Sequence, residues 1–228
     1  MSIDRARPLL CFIHDARPDE TPDELWDLSD EVWEDVDMVQ VRAKDLEDSE
    51  YVELVKGWID RLEGTDTLVI VNDRMDVARE ADADGVHLGR DDVPLEAARE
   101  QAGEEFVIGS TTHDRDEVLI AQAQGASYAG LGSFFHSETK PDAERLDPWK
   151  SGLMERIPAL QIPVIGVGGL TPDRVEDAFR IPAVTGVAAS SAIQKADDPA
   201  AAIEAFRGAL SRAWDARVSA SASSSKSR

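Results

Sequence analysis

Polar side chains able to grip an anion or a hard cation follow one short apolar run after another along this chain. In Gln40-Val41-Arg42-Ala43-Lys44 the alternation of a strand sends Gln40, Arg42 and Lys44 to one side, so an amide and two cations converge. The next two runs end in Asn72-Asp73-Arg74 and His87-Leu88-Gly89-Arg90-Asp91-Asp92. Parallel strands lie about 4.8 Å apart, so Asp73 and Asp92 could share one Mg2+, an ion that takes oxygen ligands and keeps waters and substrate phosphate oxygens. Either aspartate could equally cap the helix that follows it.

Further runs end in Gly109-Ser110-Thr111-Thr112-His113 and in Gly130-Leu131-Gly132-Ser133, the latter continuing through Ser137 and Thr139 to Lys140. The first sets hydroxyl donors beside small residues that let a ligand approach the backbone, although turn chemistry explains it as well. The second is a glycine-flanked loop with hydroxyls and a cation, able to close over a pyrophosphate or to be plain surface. Gly168-Gly169 and Ser190-Ser191 follow the last two runs, where bare backbone N–H groups ahead of a helix suit a phosphate. Other chemistries fit poorly. No GxSxG elbow supports a serine triad, and His14, His87, His113 and His136 lack the spacing of a zinc site.

These groups need elements to hold them. Eight apolar runs, at 9–13, 38–41, 68–71, 85–88, 106–108, 128–131, 164–167 and 184–189, alternate with amphipathic stretches. Helix starts are marked by Thr21-Pro22-Asp23-Glu24, Ser49, Asp114 and Thr171-Pro172-Asp173, and a last helix is predicted over about 198–214. The third helix has only 75–83 to occupy, and Gly152 and Pro158 make the sixth ragged. Apolar strands separated by helices imply parallel pairing covered on both faces, and eight such units close into a single (β/α)8 TIM barrel. An open doubly wound sheet is the alternative, but no GxGxxG follows the first run. Barrel chemistry collects where strands end, which is where these polar groups stand. The barrel domain is expected over 1–216, with 217–228 a disordered Ser-rich tail.

Composition narrows the partners. The 228 residues carry 46 acidic and 24 basic side chains, a formal charge of −22 that repels nucleic acid and anionic lipid. Lysines are few beside arginines and the acids are spread along the chain, which reads as an acidic surface adapted to high salt. Against that background, cations clustered near glycines are retained to meet an anion. No run approaches the roughly 18 apolar residues of a membrane helix, and the first run is too short for a secretory signal, so a cytoplasmic enzyme is expected. Its partners are phosphorylated small molecules; a homo-oligomer is compatible with the sequence. Cys11, the single cysteine, excludes an internal disulfide.

Taken in order, Gln40-Val41-Arg42-Ala43-Lys44, Val71-Asn72-Asp73, Asp84-Gly85-Val86-His87-Leu88-Gly89, Asp92, Gly109 with Thr111, Thr139-Lys140, Gly168-Gly169 and Ser190-Ser191 resemble thiamine-phosphate synthase and the related TenI-like thiazole tautomerases. The resemblance extends to about Phe206. It implies a transferase joining hydroxymethylpyrimidine diphosphate to a thiazole phosphate, with pyrophosphate released. It further implies that Asp73 and Asp92 hold Mg2+, that Arg42, Lys44, Asn72 and Lys140 bind the diphosphate, and that Gln40 meets the pyrimidine. Thr111, Ser137 and Thr139 would donate hydrogen bonds, and Gly168, Gly169, Ser190 and Ser191 would hold the thiazole phosphate. Arg90 stands where synthases usually carry glutamine, and Ser137 where they carry threonine. A tautomerase is the alternative; such relatives often place histidine after the glycine of the sixth strand, where this chain has Ser133. A noncatalytic phosphate-binding barrel is a third reading.

Overall fold

Eight parallel strands close on themselves: β1 Leu9–Asp15, β2 Met38–Arg42, β3 Leu68–Asn72, β4 Gly85–Leu88, β5 Val107–Thr112, β6 Tyr128–Gly132, β7 Val164–Val167 and β8 Val184–Ala189. This computed structural model describes residues 3, 7–16, 27–136, 145–147, 152–155 and 157–225. Each strand pairs with its successor, and β1 returns to β8 with Leu9 opposite Gly186 and Phe12 opposite Ala189. The architecture is the predicted (β/α)8 barrel. The helices are α1 Asp30–Trp33, α2 Asp48–Arg61, α3 Met75–Glu80, α4 Leu95–Ala102, α5 Arg115–Ala123, α6 Val175–Phe179, α7 Ser191–Gln194 and α8 Pro199–Ser225, with a 3-10 turn Pro172–Arg174 leading into α6.

The period-2 alternation of the strands splits the apolar residues into two cores. Leu9, Cys11, Met38, Ile70, Val107, Tyr128, Ile165 and Ala188 fill the barrel interior. Phe12, Val39 and Val41 point outward instead, packing with Trp33, Trp58 and Phe206 under the helices. Burying each such side chain stabilises the fold by roughly 1.5–3 kcal/mol, so continuous apolar runs are what a sheet covered on both faces requires.

Several strands outlast their apolar residues. β2 reaches Arg42, β3 reaches Asn72 and β5, predicted over 106–108, runs on to Thr112. The ladder bonds are made by backbone, so a polar side chain can stay in register: Asn72 pairs with His87, and Thr111 with Gly130. The inner face turns from apolar to polar toward the C-terminal mouth.

The helix starts have local causes. α2 begins with a capping box between Glu47 and Glu50, just before the predicted Ser49. Asp114 caps α5 by accepting from the Glu117 N–H at 2.8 Å, and Pro172 opens the 3-10 turn after Thr171. The start expected at Thr21 lies outside the described residues. Between β6 and β7, residues 152–155 form turns where a ragged helix was expected.

The C-terminal end differs from expectation. α8 runs to Ser225, so 217–225 is helical rather than a disordered tail. Ile203, Phe206 and Leu210 dock the first half of this helix, and extending a helix already formed adds one hydrogen bond per residue fixed. Arg217 also belongs to the fold. It donates to the carbonyls of Phe179, Ile181 and Val184 and lies 4.6 Å over the Phe179 ring.

At the N-terminal end of the barrel, Arg207 of α8 donates to the Pro8 carbonyl at 2.8 Å, to the Asp35 carbonyl and to Asp37 Oδ2 at 2.8 Å. Asp37 in turn accepts the Leu10 N–H at 2.7 Å. The N-terminal ends of β1 and β2 are thereby closed by paired charge. Among the described residues no helix is long and apolar enough to cross a membrane.

Candidate active site at the barrel mouth

The polar ends of the strands surround a cavity of about 190 Å³ at the C-terminal face. Gln40 and Arg42 of β2, Asn72 of β3 and Thr111 of β5 line one part of it. Gly168 and Gly169 after β7, with Ser190 and Ser191 after β8, line another. Eight residues predicted from sequence are thus brought together: Gln40, Arg42, Asn72 and Thr111 point inward from their strands, and the other four follow the ends of β7 and β8.

Arg42 is the cation of this wall. It is only 9% exposed and its guanidinium is paired with Asp15, the last residue of β1. Asp15 is held in place by Gln194 of α7, whose side chain accepts from its N–H at 3.0 Å and donates to its carbonyl at 3.2 Å. Arg42 Nε is buried without a hydrogen-bond partner among the described residues. A buried donor left so costs about 1–3 kcal/mol unless a ligand or water meets it, so the wall is built for an acceptor.

Asn72 is fixed from behind. Tyr51 of α2 donates to the Val41 carbonyl at 2.6 Å and takes the Asn72 N–H at 3.2 Å, clamping the ends of β2 and β3. Burial pushes the Tyr51 phenol above its ordinary range, so it keeps its proton.

His87, inward on β4, crosses the barrel. Its Nδ1 lies 3.0 Å from the Tyr128 hydroxyl and its Nε2 3.0 Å from Thr111 Oγ1. Burial raises the Tyr128 phenol well above its usual value, and the Gln40 side chain nearby works the other way. The sequence says of His87 only that it lacks the spacing of a zinc site, and it does not single out Tyr128 or Asp15. The inward parity of Tyr128 with Gly130 and of Asp15 with Ile13 was the signal available. His14, one position from inward parity, faces Trp58 instead, accepting from its Nε1 at 2.9 Å. Burial lowers its pKa to about 4.

The glycines after β7 make room for a close approach. Gly168 and Gly169 have φ of 102° and 60°. A Cβ on Gly168 would lie 2.1 Å from Ser133 Oγ, and one on Gly169 2.2 Å from the His136 carbonyl oxygen. Ser133 itself donates to the Phe135 carbonyl at 2.8 Å. Its backbone, with Phe134 and Phe135, stitches the start of the β6 loop to β7, through Phe134 N to the Val167 oxygen and Phe135 N to the Gly168 oxygen.

Asp73 and Asp92 stand at the rim, half-buried and outside the cavity lining. Asp73 adopts φ 67°, and its N–H donates to the His87 carbonyl at 2.8 Å, which sets it at the seam of β3 and β4. Asp92 Oδ2 accepts the Gly89 N–H at 2.6 Å and closes the turn after β4. No three of the described His, Cys, Asp and Glu residues cluster as a ready-made metal cage. Two carboxylates on adjacent strand ends nevertheless fit Mg2+, which binds through one or two carboxylates and completes its shell with water and substrate phosphate.

Lys44 sits in the turn after β2, exposed and outside the cavity lining. Strand alternation ends at Arg42, so the expected third inward residue is not carried by the strand. Arg90 is turned to Glu117 at 3.1 Å, and Glu117 also accepts from the His113 N–H at 2.7 Å. Ser137, Thr139 and Lys140 lie outside the described residues.

The sequence profile of the family described as thiamine monophosphate synthase matches residues 10–193. The thiamine-phosphate synthase of Methanosarcina barkeri is 39% identical over 170 residues, covering 74% of this chain and 76% of its own. That of Natronomonas pharaonis is 38% identical, covering 72% and 77%. A solved structure, thiamine phosphate pyrophosphorylase from Pyrococcus furiosus, superposes with a TM-score of 0.75 at 31% identity, over 92% of this chain and 98% of that one. A 3-hexulose-6-phosphate synthase, at 18% identity and a TM-score of 0.64, shares the barrel alone. With its profile, its relatives and its fold in agreement over most of its length, the chain belongs to the thiamine monophosphate synthase family.

Proposed function

We propose that the mouth of this barrel joins hydroxymethylpyrimidine diphosphate to a thiazole phosphate, yielding thiamine phosphate and pyrophosphate, with Mg2+ as cofactor. The observation that carries the reading is Arg42: a buried guanidinium on the cavity wall, with an unmet Nε donor, in a chain of formal charge −22.

Arg42 and Asn72 bind the diphosphate from the wall, and Lys44 and Lys140 add positive charge from the turn after β2 and the loop after β6. Gln40 and Thr111 hold the pyrimidine. Ser137 and Thr139 donate further hydrogen bonds. The backbone at Gly168 and Gly169, with Ser190 and Ser191, takes the thiazole phosphate. Asp73 and Asp92 would hold Mg2+, which would supply Lewis-acid neutralisation of the diphosphate.

Pyrophosphate leaves with the electron pair of its bond to the pyrimidine methylene, and the thiazole nitrogen donates its lone pair to the resulting cation. No protein nucleophile is needed. The acceleration comes from donors placed where charge develops on the leaving group and from alignment of two bound substrates. Such soluble substrates are consistent with a cytoplasmic reaction.

A tautomerase has little use for Arg42, Asp73 and Asp92, and Ser133 spends its hydroxyl on Phe135. Incubation of the protein with both substrates and Mg2+ should give thiamine phosphate and pyrophosphate in equal amounts. Absence of product, with proton exchange on a thiazole carboxylate phosphate alone, would replace this reading by the tautomerase.

A further inference from the structure

β1 and β8 separate before they reach the mouth. Their ladder ends with Phe12 opposite Ala189, where β8 gives way to Ser190 and α7, yet β1 continues to Asp15. On its other side β1 stays paired with β2 to the end, with Asp15 opposite Arg42 and the Ala16 N–H on the Arg42 carbonyl at 2.8 Å. In a parallel strand the N–H and C=O of one residue point to the same neighbour, and those of the next residue to the other. Asp15 therefore turns its backbone toward the side that β8 has left.

Gln194 fills that place. Its side-chain carbonyl accepts the Asp15 N–H at 3.0 Å and its NH2 donates to the Asp15 carbonyl at 3.2 Å, so one carboxamide stands in for the missing β8 backbone. The amide is held by α7, whose single turn is closed by the Ile193 and Gln194 N–H groups on the Ser190 carbonyl, both at 2.9 Å. Few side chains could do the same. Glutamate at this position would keep the acceptor and lose the donor, and methionine would keep the length and lose both.

The consequence reaches Arg42. With the backbone of Asp15 pinned, its carboxylate, 18% exposed, holds Nη1 of the Arg42 guanidinium. A guanidinium is planar, so fixing Nη1 and the stem fixes the direction of Nε, the buried donor left without a partner among the described residues. The structure assigns Gln194 as a positioning residue that acts through Asp15 to hold the Arg42 donors in place for a diphosphate. This role rests on the proposed function and deepens it. Without the strut, the last turn of β1 is paired on one side only, and the carboxylate that orients Arg42 moves with it.

The probe is pyrophosphate with Mg2+, titrated calorimetrically into the full-length protein. Gln194→Met should bind it about fivefold more weakly than wild type, the scale of one net hydrogen bond, and KM for the pyrimidine diphosphate should rise by the same factor. KM for the thiazole phosphate should stay unchanged, because α7 keeps its own bonds to Ser190. Added to Arg42→Ala, Gln194→Met should cost nothing further, as expected of a residue that acts through the arginine. Binding equal to wild type in Gln194→Met overturns the inference. An undiminished loss on top of Arg42→Ala also overturns it, because a side chain that only supports the barrel would behave so. Nitrogen NMR on arginine-labelled, ligand-free protein gives a second reading. The Arg42 Nε–H, identified by its loss in Arg42→Lys, should exchange with water at least about fivefold faster in Gln194→Met, and an unchanged rate contradicts the strut. If Gln194→Met fails to fold, Gln194→Glu, which loses only the donor, takes its place with the same expectations. Wild type that neither binds pyrophosphate nor couples the two substrates sinks the proposed function instead, while the exchange rate still reads the strut directly.

Discussion

The two ends of the barrel treat an arginine differently. At the N-terminal end, Arg207 serves three acceptors, the Pro8 and Asp35 carbonyls and Asp37, whose side chain is 9% exposed. At the mouth, Arg42 is as deeply set, yet it meets only Asp15 and its Nε is left idle among the described residues. One guanidinium completes the fold and the other waits for a ligand. Arg99 follows the first pattern, donating to the carbonyls of Gly103, Phe106 and Gly125. The lesson is that burial of a charge does not mark a site; burial with unspent donors beside a cavity does.

Removing each arginine should break this comparison most sharply. Arg42→Ala should lower the coupling rate about 10²- to 10³-fold, the scale of one lost donor to a charge that develops in the transition state. Arg207→Ala should instead cost roughly 1–3 kcal/mol of stability in denaturant titration, because the Pro8 and Asp35 carbonyls lose their donor and Asp37 keeps Arg7 alone, while the coupling rate of the folded fraction stays at wild type. A collapse in rate for Arg207→Ala, or full activity for Arg42→Ala, would erase the distinction between the ends.

The rim carboxylates come next. Asp73→Ala and Asp92→Ala should each raise the Mg2+ concentration for half-maximal coupling by roughly 10- to 100-fold, as lost metal-site groups do. Asp92→Ala should also loosen the turn closed on Gly89, so its melting temperature should fall as well. Unchanged Mg2+ dependence in both variants would remove the metal from the rim.

The last effect belongs to the outer core and bears on stability alone. His14 has a folded pKa of about 4 against an ordinary value near 6.5, because burial disfavours its charged form. It binds its proton more readily unfolded, so its contribution is whole above pH 6.5 and is lost as pH falls toward 4. The slope is up to about 1.4 kcal/mol per pH unit in that window. His14→Gln should lose that component, and the difference between variant and wild type should narrow on acidification. A constant difference from pH 7 to 4 would contradict the burial of His14.

The barrel was legible because apolar runs of strand length recur with helix starts between them, and a covered sheet forces that pattern. The lining residues of β2, β3 and β5 were legible because a strand's parity fixes where its last side chain points, and Gly168, Gly169, Ser190 and Ser191 because small residues after the last two runs leave backbone N–H groups bare. Lys44 shows where parity stops: β2 ends at Arg42, and two residues later the chain is already turning. Asp15 and Tyr128 were hidden by their neighbours. One closes a run that reads as apolar core, and the other opens one, so neither carries a local mark of the cavity above it. The helical 217–225 was hidden because its composition suits a tail, while the contacts that extend α8 come from Phe179, Ile181 and Val184, far back in the chain.

Calorimetric titration of pyrophosphate with Mg2+ into wild type, Arg42→Ala and Arg207→Ala tests the central claim most directly. Wild type and folded Arg207→Ala should bind alike, and Arg42→Ala at least about tenfold more weakly, the loss of one charged hydrogen bond. Equal binding by wild type and Arg42→Ala would contradict a diphosphate site at the barrel mouth.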